Sequence, residues 1–479
     1  MIPLTLAEIA LATDGTLIQG APDTVIDGSV ETDSRLVGPG SVFFALPGEE
    51  TDGHRFVPAA TDAGAALVIT QQRADTAAAQ IVVADGYAAL AALAAEVVRR
   101  VRAAGDLRVV GITGSNGKTS TKNMLRTILA GVGETVAPEG SFNNHVGAPI
   151  SMLRLTVDTR FLVVEMGASG FGEIAKLVRI AEPDVGVVLK VGLAHAGEFG
   201  GIEMTQRAKS EMVTDLPATA TAVLNLDDDR VASMVALTAA RVVSFGTDPA
   251  AAYRITELTS DRTGTRFTLT ARPGGSADDT ASATVDDSVT VRLAILGEHH
   301  AMNATAALVV AHTWGVPLAD GARALASMTR AERWRMELLQ GGPEGVTVVN
   351  DAYNASPDSM AAALRTLAQI ARPGERTVAV LGEMAELGEY ATEEHDRIGR
   401  LVVRLGIGQL VVVGRGALPI HQAASLEGSW DGESVFIEDV DDAVRAIEGM
   451  IRSGDVVLVK SSKSAGLRFL GDRLGGVPA

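Results

Sequence analysis

Between Arg108 and Ser120 the chain reads RVVGITGSNGKTS. A short apolar run enters a glycine-rich turn, a Lys-Thr-Ser triplet follows, and then a helical pattern begins. Gly114 and Gly117 let the backbone of Ser115 and Asn116 turn toward an anion with no Cβ in the way. The following helix offers its free N–H groups and positive dipole end to the same anion. Lys118 has the reach to meet nucleotide β/γ-phosphates, and the hydroxyl of Thr119, followed by Ser120, suits Mg²⁺. The strict phosphate-loop pattern wants glycine five residues before Gly117; here that residue is Ile112, with Gly111 one step earlier. A turn of this composition can be a plain strand-to-helix connection, but turn, lysine, hydroxyl and helix in this order point to a phosphate site.

Three later residues could work beside it. Glu165 ends the apolar run of LVVEMGASGFGEI, and α/β sheets place their ligands at the carboxyl ends of strands. Its carboxylate is a hard oxygen ligand suited to Mg²⁺, although a solvated strand-end acid looks the same in sequence. His195, in VVLKVGLAHAGEFG, is a lone loop histidine. Lys209, in EMTQRAKSEMV, lies on a helical pattern and reads equally as a surface lysine or a buried one. It is one of only seven lysines among 41 basic residues, so in this arginine-rich chain each lysine poses a specific question.

The elements that must hold these residues follow from periodicity. Short apolar runs at Ser41–Leu46 and Ala66–Thr70 predict strands, and Tyr87–Ala104 predicts a helix closed by Gly105. From Leu107 strands and helices alternate: strands at Arg108–Thr113, Phe161–Met166 and Asp184–Leu189, helices at Thr119–Ala130 and Glu173–Ala181. Nearly continuous apolar strands between helices predict a parallel sheet covered on both faces. The segments ITELTSDRTGTRFTLTARPGG and SVTVRLAIL alternate like antiparallel strands, joined by a polar loop at Gly274–Asp287. A second alternating series follows, with strands at Val346–Asn350, Thr377–Leu381, Gln409–Val413, Ser434–Ile437 and Val456–Lys460, and a frayed tail at Gly475–Ala479. The expected fold is α/β in three domains: 1–104, a small α/β unit; 105–324, a phosphate-loop ATPase-type unit with a mostly parallel sheet; 325–479, a Rossmann-like unit.

Composition limits the function. The 479 residues are 47% hydrophobic and 21% charged, with a net charge of −18. That balance argues against a nucleic-acid or anionic-membrane binder. No apolar run reaches the ~18 residues of a membrane span, and no basic, apolar leader opens the chain. The absence of cysteine excludes disulfides, thiolate metal sites and cysteine nucleophiles. A cytoplasmic, monomeric protein is expected.

Taken together, the segments resemble the Mur ligase family along nearly the whole chain and in the family's order. GITGSNGKTS resembles its ATP loop, and ETDSRLVGPGSVFFALPGEETDGHRFV its uridine-nucleotide segment. The resemblance implies that Asp33, Ser34 and Arg35 meet the UDP part of a substrate. SFNNHVGAP places Asn143 and Asn144 near the muramoyl group. Glu165 and His195 become metal-side residues, and Lys209 becomes a carbamate formed with CO₂ that ligates Mg²⁺. AVLNLDDD puts Asn225 near the nucleotide. ILGEHHAMNATAA puts Asn303 near the adenine, with His300 where the family carries a first Asn. RWRMEL supplies Arg335 to the ATP phosphates or ribose. VVNDAYNASPDSM resembles the members that add D-alanyl-D-alanine rather than diaminopimelate or lysine: Asp351 meets the nucleotide, Tyr353 and Asn354 lie on the acceptor side, and Ala355 and Pro357 fit the pattern. VLGEMAELGEYATEEH and GDVVLVKSSKSAG continue the likeness. Lys190 stands where the family often has Asn, Ser356 replaces another Asn, and Ser461 and Lys463 depart from Lys-Gly-Ser-Arg.

The implied chemistry is ATP-dependent amide formation. ATP phosphorylates the terminal carboxylate of a UDP-N-acetylmuramoyl tripeptide, the amine of D-alanyl-D-alanine attacks the acyl phosphate, and phosphate leaves. No protein nucleophile is required, so catalysis reduces to positioning and charge neutralisation. Two other readings stand beside this one: a related ligase of a neighbouring Mur or folylpolyglutamate type, and a nucleotide-binding relative that has lost catalysis.

Overall fold

The structure is a computed structural model that describes residues 1–477 except 49–50, 139, 195–196, 198–199, 273–286 and 428–429. It is α/β, with three main sheets in chain order. The first has five strands in the order Thr16–Gln19, Ala79–Val82, Leu67–Thr70, Val42–Phe44, Val30–Glu31, parallel except for the first. The helix Gly86–Ala104 leaves this unit. Asp85 caps it by accepting from the backbone N–H groups of Tyr87 and Ala88, and its aliphatic stripe buries Leu90, Leu93, Val97 and Val101. Gly105 closes the helix in extended backbone, so its freedom at positive φ is unused there.

The central sheet has nine strands. The core of it is parallel: Arg241–Gly246, Thr221–Asn225, Val185–Val188, Arg108–Thr113, Phe161–Glu165 and Thr135–Val136, side by side in that order. Val109, Val110, Ile112, Val163, Val164 and Val187 are buried in it, the two-faced burial that a parallel sheet between helices imposes. Tyr253–Asp261 continues it, and Gly264–Ala271 and Asp287–Leu293 finish it as an antiparallel extension. The expected loop at Gly274–Asp287 lies outside the described residues except for Asp287, which opens the last strand.

The third sheet runs Glu337–Leu339, Thr347–Asn350, Asp455–Lys460, Arg376–Leu381, Gln409–Val413, Glu433–Ile437. Its first strand is antiparallel and the rest are parallel. That edge strand, only three residues long, is absent from the sequence reading because three residues show no periodicity. The tail is not frayed through Val477: its N–H donates to the carbonyl of Asp472 at 2.9 Å, folding the chain back on its last helix. No described helix is long and apolar enough to cross a membrane.

Candidate active site

Register decides what meets at the phosphate loop. Glu165 pairs with Ile112, and Val188 with Thr113, so three parallel strands end together and their loops converge at one rim. Gly114 has φ 149° and Gly117 φ 88°. A Cβ on Gly117 would lie 2.3 Å from Oδ1 of Asn303, so both conformation and space demand glycine there. The helix begins at Lys118, one residue before expectation. The Ser115 N–H donates to the Lys190 carbonyl at 2.8 Å and its Oγ to the Gly192 carbonyl at 3.1 Å, which pins the loop to the neighbouring strand end.

Around the loop lies a cavity of about 280 Å³. From the central sheet come Ser115 to Ser120, Asn143, Glu165, Lys190 and Asn303; from the C-terminal sheet come Asp351, Tyr353, Asn354 and Ser356, with Arg335 between them. Thr119 is the hub. Its Oγ1 donates to Glu165 Oε2 at 3.0 Å, lies 3.1 Å from Ser141 Oγ and accepts from Arg335 Nη2 at 3.3 Å. Asn143 Nδ2 donates to the other Glu165 oxygen at 2.9 Å. Lys118 Nζ donates to the Gly114 carbonyl at 2.7 Å. Burial lowers its amine pKa, Glu165 opposes this, and Arg335 adds to it.

The C-terminal side is held by Lys460, which is 2% exposed. Its Nζ donates to Asp351 Oδ2 at 2.6 Å and to the Asn354 carbonyl at 3.1 Å. Ser356 caps the helix Pro357–Ile370 and also donates to Asn116 Oδ1 at 3.0 Å, joining the two sheets across the cavity. Lys190, placed where the resemblance wants Asn, pairs with Asp358 Oδ1 at 3.1 Å. His299 is pushed down to about 4 by burial, against Asp351 and with Lys460 and Lys190, so it is neutral at pH 7. Asn116 Nδ2, Arg335 Nε and His300 Nε2, on residues that line the cavity, are buried without a hydrogen-bond partner among the described residues, so polar groups there are available to a ligand.

Other expected residues stand outside the lining of this cavity. Lys209 is buried on the helix Ile202–Thr214 but does not line the cavity; its amine is pushed down to about 7 by burial and then by the charge of Lys118, against Glu173 and Glu211. Asn144 Oδ1 accepts from the backbone of Val146 and Gly147, the work of a turn. Asn225 ties the Leu189 carbonyl to the turn at Asp227 and stays outside the cavity lining. Asp33 caps a short 3₁₀ turn and pairs with Arg35, whose side chain is 85% exposed, and neither they nor Ser34 line the cavity. His195 lies outside the described residues. Sequence reasoning missed Ser141, His299 and Lys460. Lysine scarcity was the signal for Lys460, as it was for Lys122, whose buried Nζ holds the carbonyls of Pro138 and Gly140.

The chain is 43% identical over 513 residues to the Mycobacterium tuberculosis (strain ATCC 25618 / H37Rv) protein named UDP-N-acetylmuramoyl-tripeptide--D-alanyl-D-alanine ligase, covering 99% of this chain and 98% of that protein. The chain belongs to the Mur ligase family. Within this Mur ligase, the family's catalytic-domain model matches residues 28–106, its middle-domain model 112–311, and its glutamate ligase domain model 334–463. The crystal structure of MurF from Acinetobacter baumannii superposes with a TM-score of 0.87 at 31% identity, covering 99% of both chains. MurF from Thermotoga maritima, solved in complex with ADP, superposes with a TM-score of 0.79 at 26% identity, covering 94% of this chain and 98% of that one.

The oxygens of Thr119 and Glu165, close together at the rim of the loop, form a hard donor set that fits Mg²⁺, an ion that keeps several waters and nucleotide oxygens as its remaining ligands. Among the described residues, no group of three or more His, Asp or Glu is placed to hold a metal.

Proposed function

We propose that this enzyme joins D-alanyl-D-alanine to the terminal carboxylate of UDP-N-acetylmuramoyl tripeptide at the expense of ATP, a step of peptidoglycan precursor synthesis. The observation that carries the reading is a single cavity walled by the phosphate loop on one side and by the Asp351–Ser356 turn on the other. The former suits ATP; the latter carries the D-alanyl-D-alanine-type sequence. The full-length relative and the ADP complex of a similar protein support it.

The chemistry follows from the parts. A carboxylate is a poor acylating agent because oxide is a poor leaving group, so one carboxylate oxygen first takes the γ-phosphoryl group and ADP departs. The dipeptide nitrogen then attacks the acyl carbon, the C–O bond to phosphate breaks, and the amine gives up a proton. Gly114–Ser120 and Lys118 hold the phosphates, and Arg335 approaches them from the opposite wall. Thr119 and Glu165 would hold Mg²⁺, which would supply charge neutralisation to the phosphates. Asn303 faces the nucleotide from behind Gly117, and Asp351, fixed by Lys460, shapes the C-terminal wall. Tyr353 and Asn354 form the acceptor side, and the contact between Ser356 and Asn116 helps exclude water from the acyl phosphate.

Finer assignments belong to the same reading. His195 joins the metal side, and Lys209 becomes a carbamate: a buried amine with a lowered pKa has the neutral form whose nitrogen attacks the carbon of CO₂, with one proton released. Asp33, Ser34 and Arg35 take the UDP part, with Asn143 and Asn144 toward the muramoyl group. The domains divide at 1–104, 105–324 and 325–479, and the enzyme works in the cytoplasm.

The direct test measures phosphate release from ATP with Mg²⁺ and the UDP-linked tripeptide, with the dipeptide present or omitted. Dipeptide-dependent release with a product heavier by that dipeptide is expected. Folded protein that releases phosphate only with another amine acceptor would move the assignment to a neighbouring ligase.

A further inference from the structure

Arg335 reaches the cavity from a backbone that ordinary residues avoid. Its neighbours Trp334 and Met336 both lie in the left-handed region, at φ 58° and 49°. A non-glycine residue stays there only where its surroundings over-determine it. Met336 is held by its N–H, which donates to Asp351 Oδ1 at 3.0 Å. Trp334 is held on several sides. Its N–H donates to Glu337 Oε2 at 2.9 Å, and its indole Nε1 donates to Asp472 Oδ2 at 2.8 Å. The same Asp472 oxygen accepts from Arg333 at 2.9 Å, and Oδ1 accepts from Asn350 at 3.0 Å. The guanidiniums of Arg333 and Arg468 lie 4.8 and 5.6 Å from the indole centroid. Asp472 sits on the helix Leu467–Leu474, and Asn350 ends a strand of the C-terminal sheet. Neither Trp334 nor Asp472 lines the cavity, yet the residue between the two strained positions does. Arg335 stacks over Tyr353 with 4.4 Å from guanidinium to ring centroid, and reaches Thr119.

We infer that Trp334 and Asp472 are positioning residues: their hydrogen bond locks the strained Trp334–Met336 turn and so aims Arg335 at the nucleotide. This rests on the reading that the cavity binds ATP. The lock makes the arginine's direction a property of the C-terminal unit's last helix. A long, flexible side chain on an ordinary backbone would have to be ordered by the ligand itself, at a cost in affinity.

The test is a double-mutant cycle read on ATP. Trp334→Phe keeps the ring and its stacking but removes the indole donor to a carboxylate. The dissociation constant for ATP by titration calorimetry, and KM for ATP in the ligation assay, should each rise roughly tenfold, the size of losing one charge-assisted hydrogen bond. The same change in an Arg335→Ala background should then add nothing. Asp472→Asn, which keeps the shape and an oxygen for Asn350, runs the same cycle if Trp334→Phe does not fold. An unchanged ATP affinity in Trp334→Phe, or an equal loss with and without the Arg335 guanidinium, would overturn the inference. A chain that shows the coupling but ligates no dipeptide would instead reject the proposed reaction and leave the lock standing.

Discussion

Lys209 and Lys118 show how one residue type takes two roles in the same chain. Lys209 is 1% exposed and its amine is pushed down to about 7, first by burial. Below pH 7 it is charged in both folded and unfolded chains, and the folded state bears the full desolvation penalty. Between pH 7 and the ordinary lysine value only the unfolded chain stays protonated, so this group makes folding more favourable as pH rises through that window. The neutral amine is also what CO₂ requires. Enrichment with ¹³CO₂ should therefore give a carbamate carbon resonance in the wild type that grows from pH 6 to 8 and is missing from Lys209→Arg; its presence in Lys209→Arg would assign the adduct elsewhere. Lys118, in contrast, stays within reach of the cavity. Lys118→Ala should leave the circular dichroism and thermal unfolding close to wild type while ligation falls below about one-tenth of wild type, because a phosphate-directed cation in a low-dielectric site contributes several kcal/mol to the transition state. Higher residual activity would remove it from the mechanism.

At the scale of elements, the site depends on where helices start. The phosphate helix starts at Lys118 after two left-handed glycines, and the helix Pro357–Ile370 starts at Ser356, which caps it and touches the loop. Gly117→Ala places a methyl group against Asn303 and strains the turn. ATP affinity should fall by more than about tenfold, with stability lower by about 1–3 kcal/mol from the strained φ. An alanine variant with wild-type ATP binding would mean that the loop can shift without consequence. Ser356→Ala should cost about 1 kcal/mol of stability through the lost cap, read from chemical denaturation, and should weaken ligation further by cutting the bridge to Asn116. Equal loss of stability with unchanged kcat/KM would show the bridge to be idle.

Across the whole molecule, the central and C-terminal sheets are tied outside the cavity as well. The hairpin residue Arg262 forms a bidentate ion pair with Glu375, with both side chains about one-fifth exposed, and Gln369 donates to Glu298 at 3.1 Å. A partly buried, two-bond pair is worth about 1 kcal/mol, more than an exposed one. Arg262→Ala should therefore lower kcat/KM for ATP by roughly fivefold without altering the residues of the cavity. The wild type should become more like the variant as ionic strength rises, whereas a variant with an unchanged salt profile would deny the pair any part in closure.

The chain's patterning determined its α/β class, the three successive sheets and most strand positions by itself. Apolar period and length are local properties, so Arg108–Thr113 and Gln409–Val413 stand in the structure where they stand in the sequence. The Gly114–Ser120 loop was legible for the same reason, since glycine, lysine and hydroxyl sit within one turn of chain. The three-residue edge strand Glu337–Leu339 was not legible, because it exists only through pairing with Thr347–Asn350. Lys460 stands more than a hundred residues from Asp351, and only the parallel pairing of Thr347–Asn350 with Asp455–Lys460 brings its amine there. The same holds for Asp472 under Trp334, and for Asn225 and Asn144, whose side chains the fold uses for its own turns. Residue type states what a side chain can do; burial and the partners delivered by distant strands and helices decide which of those things it does.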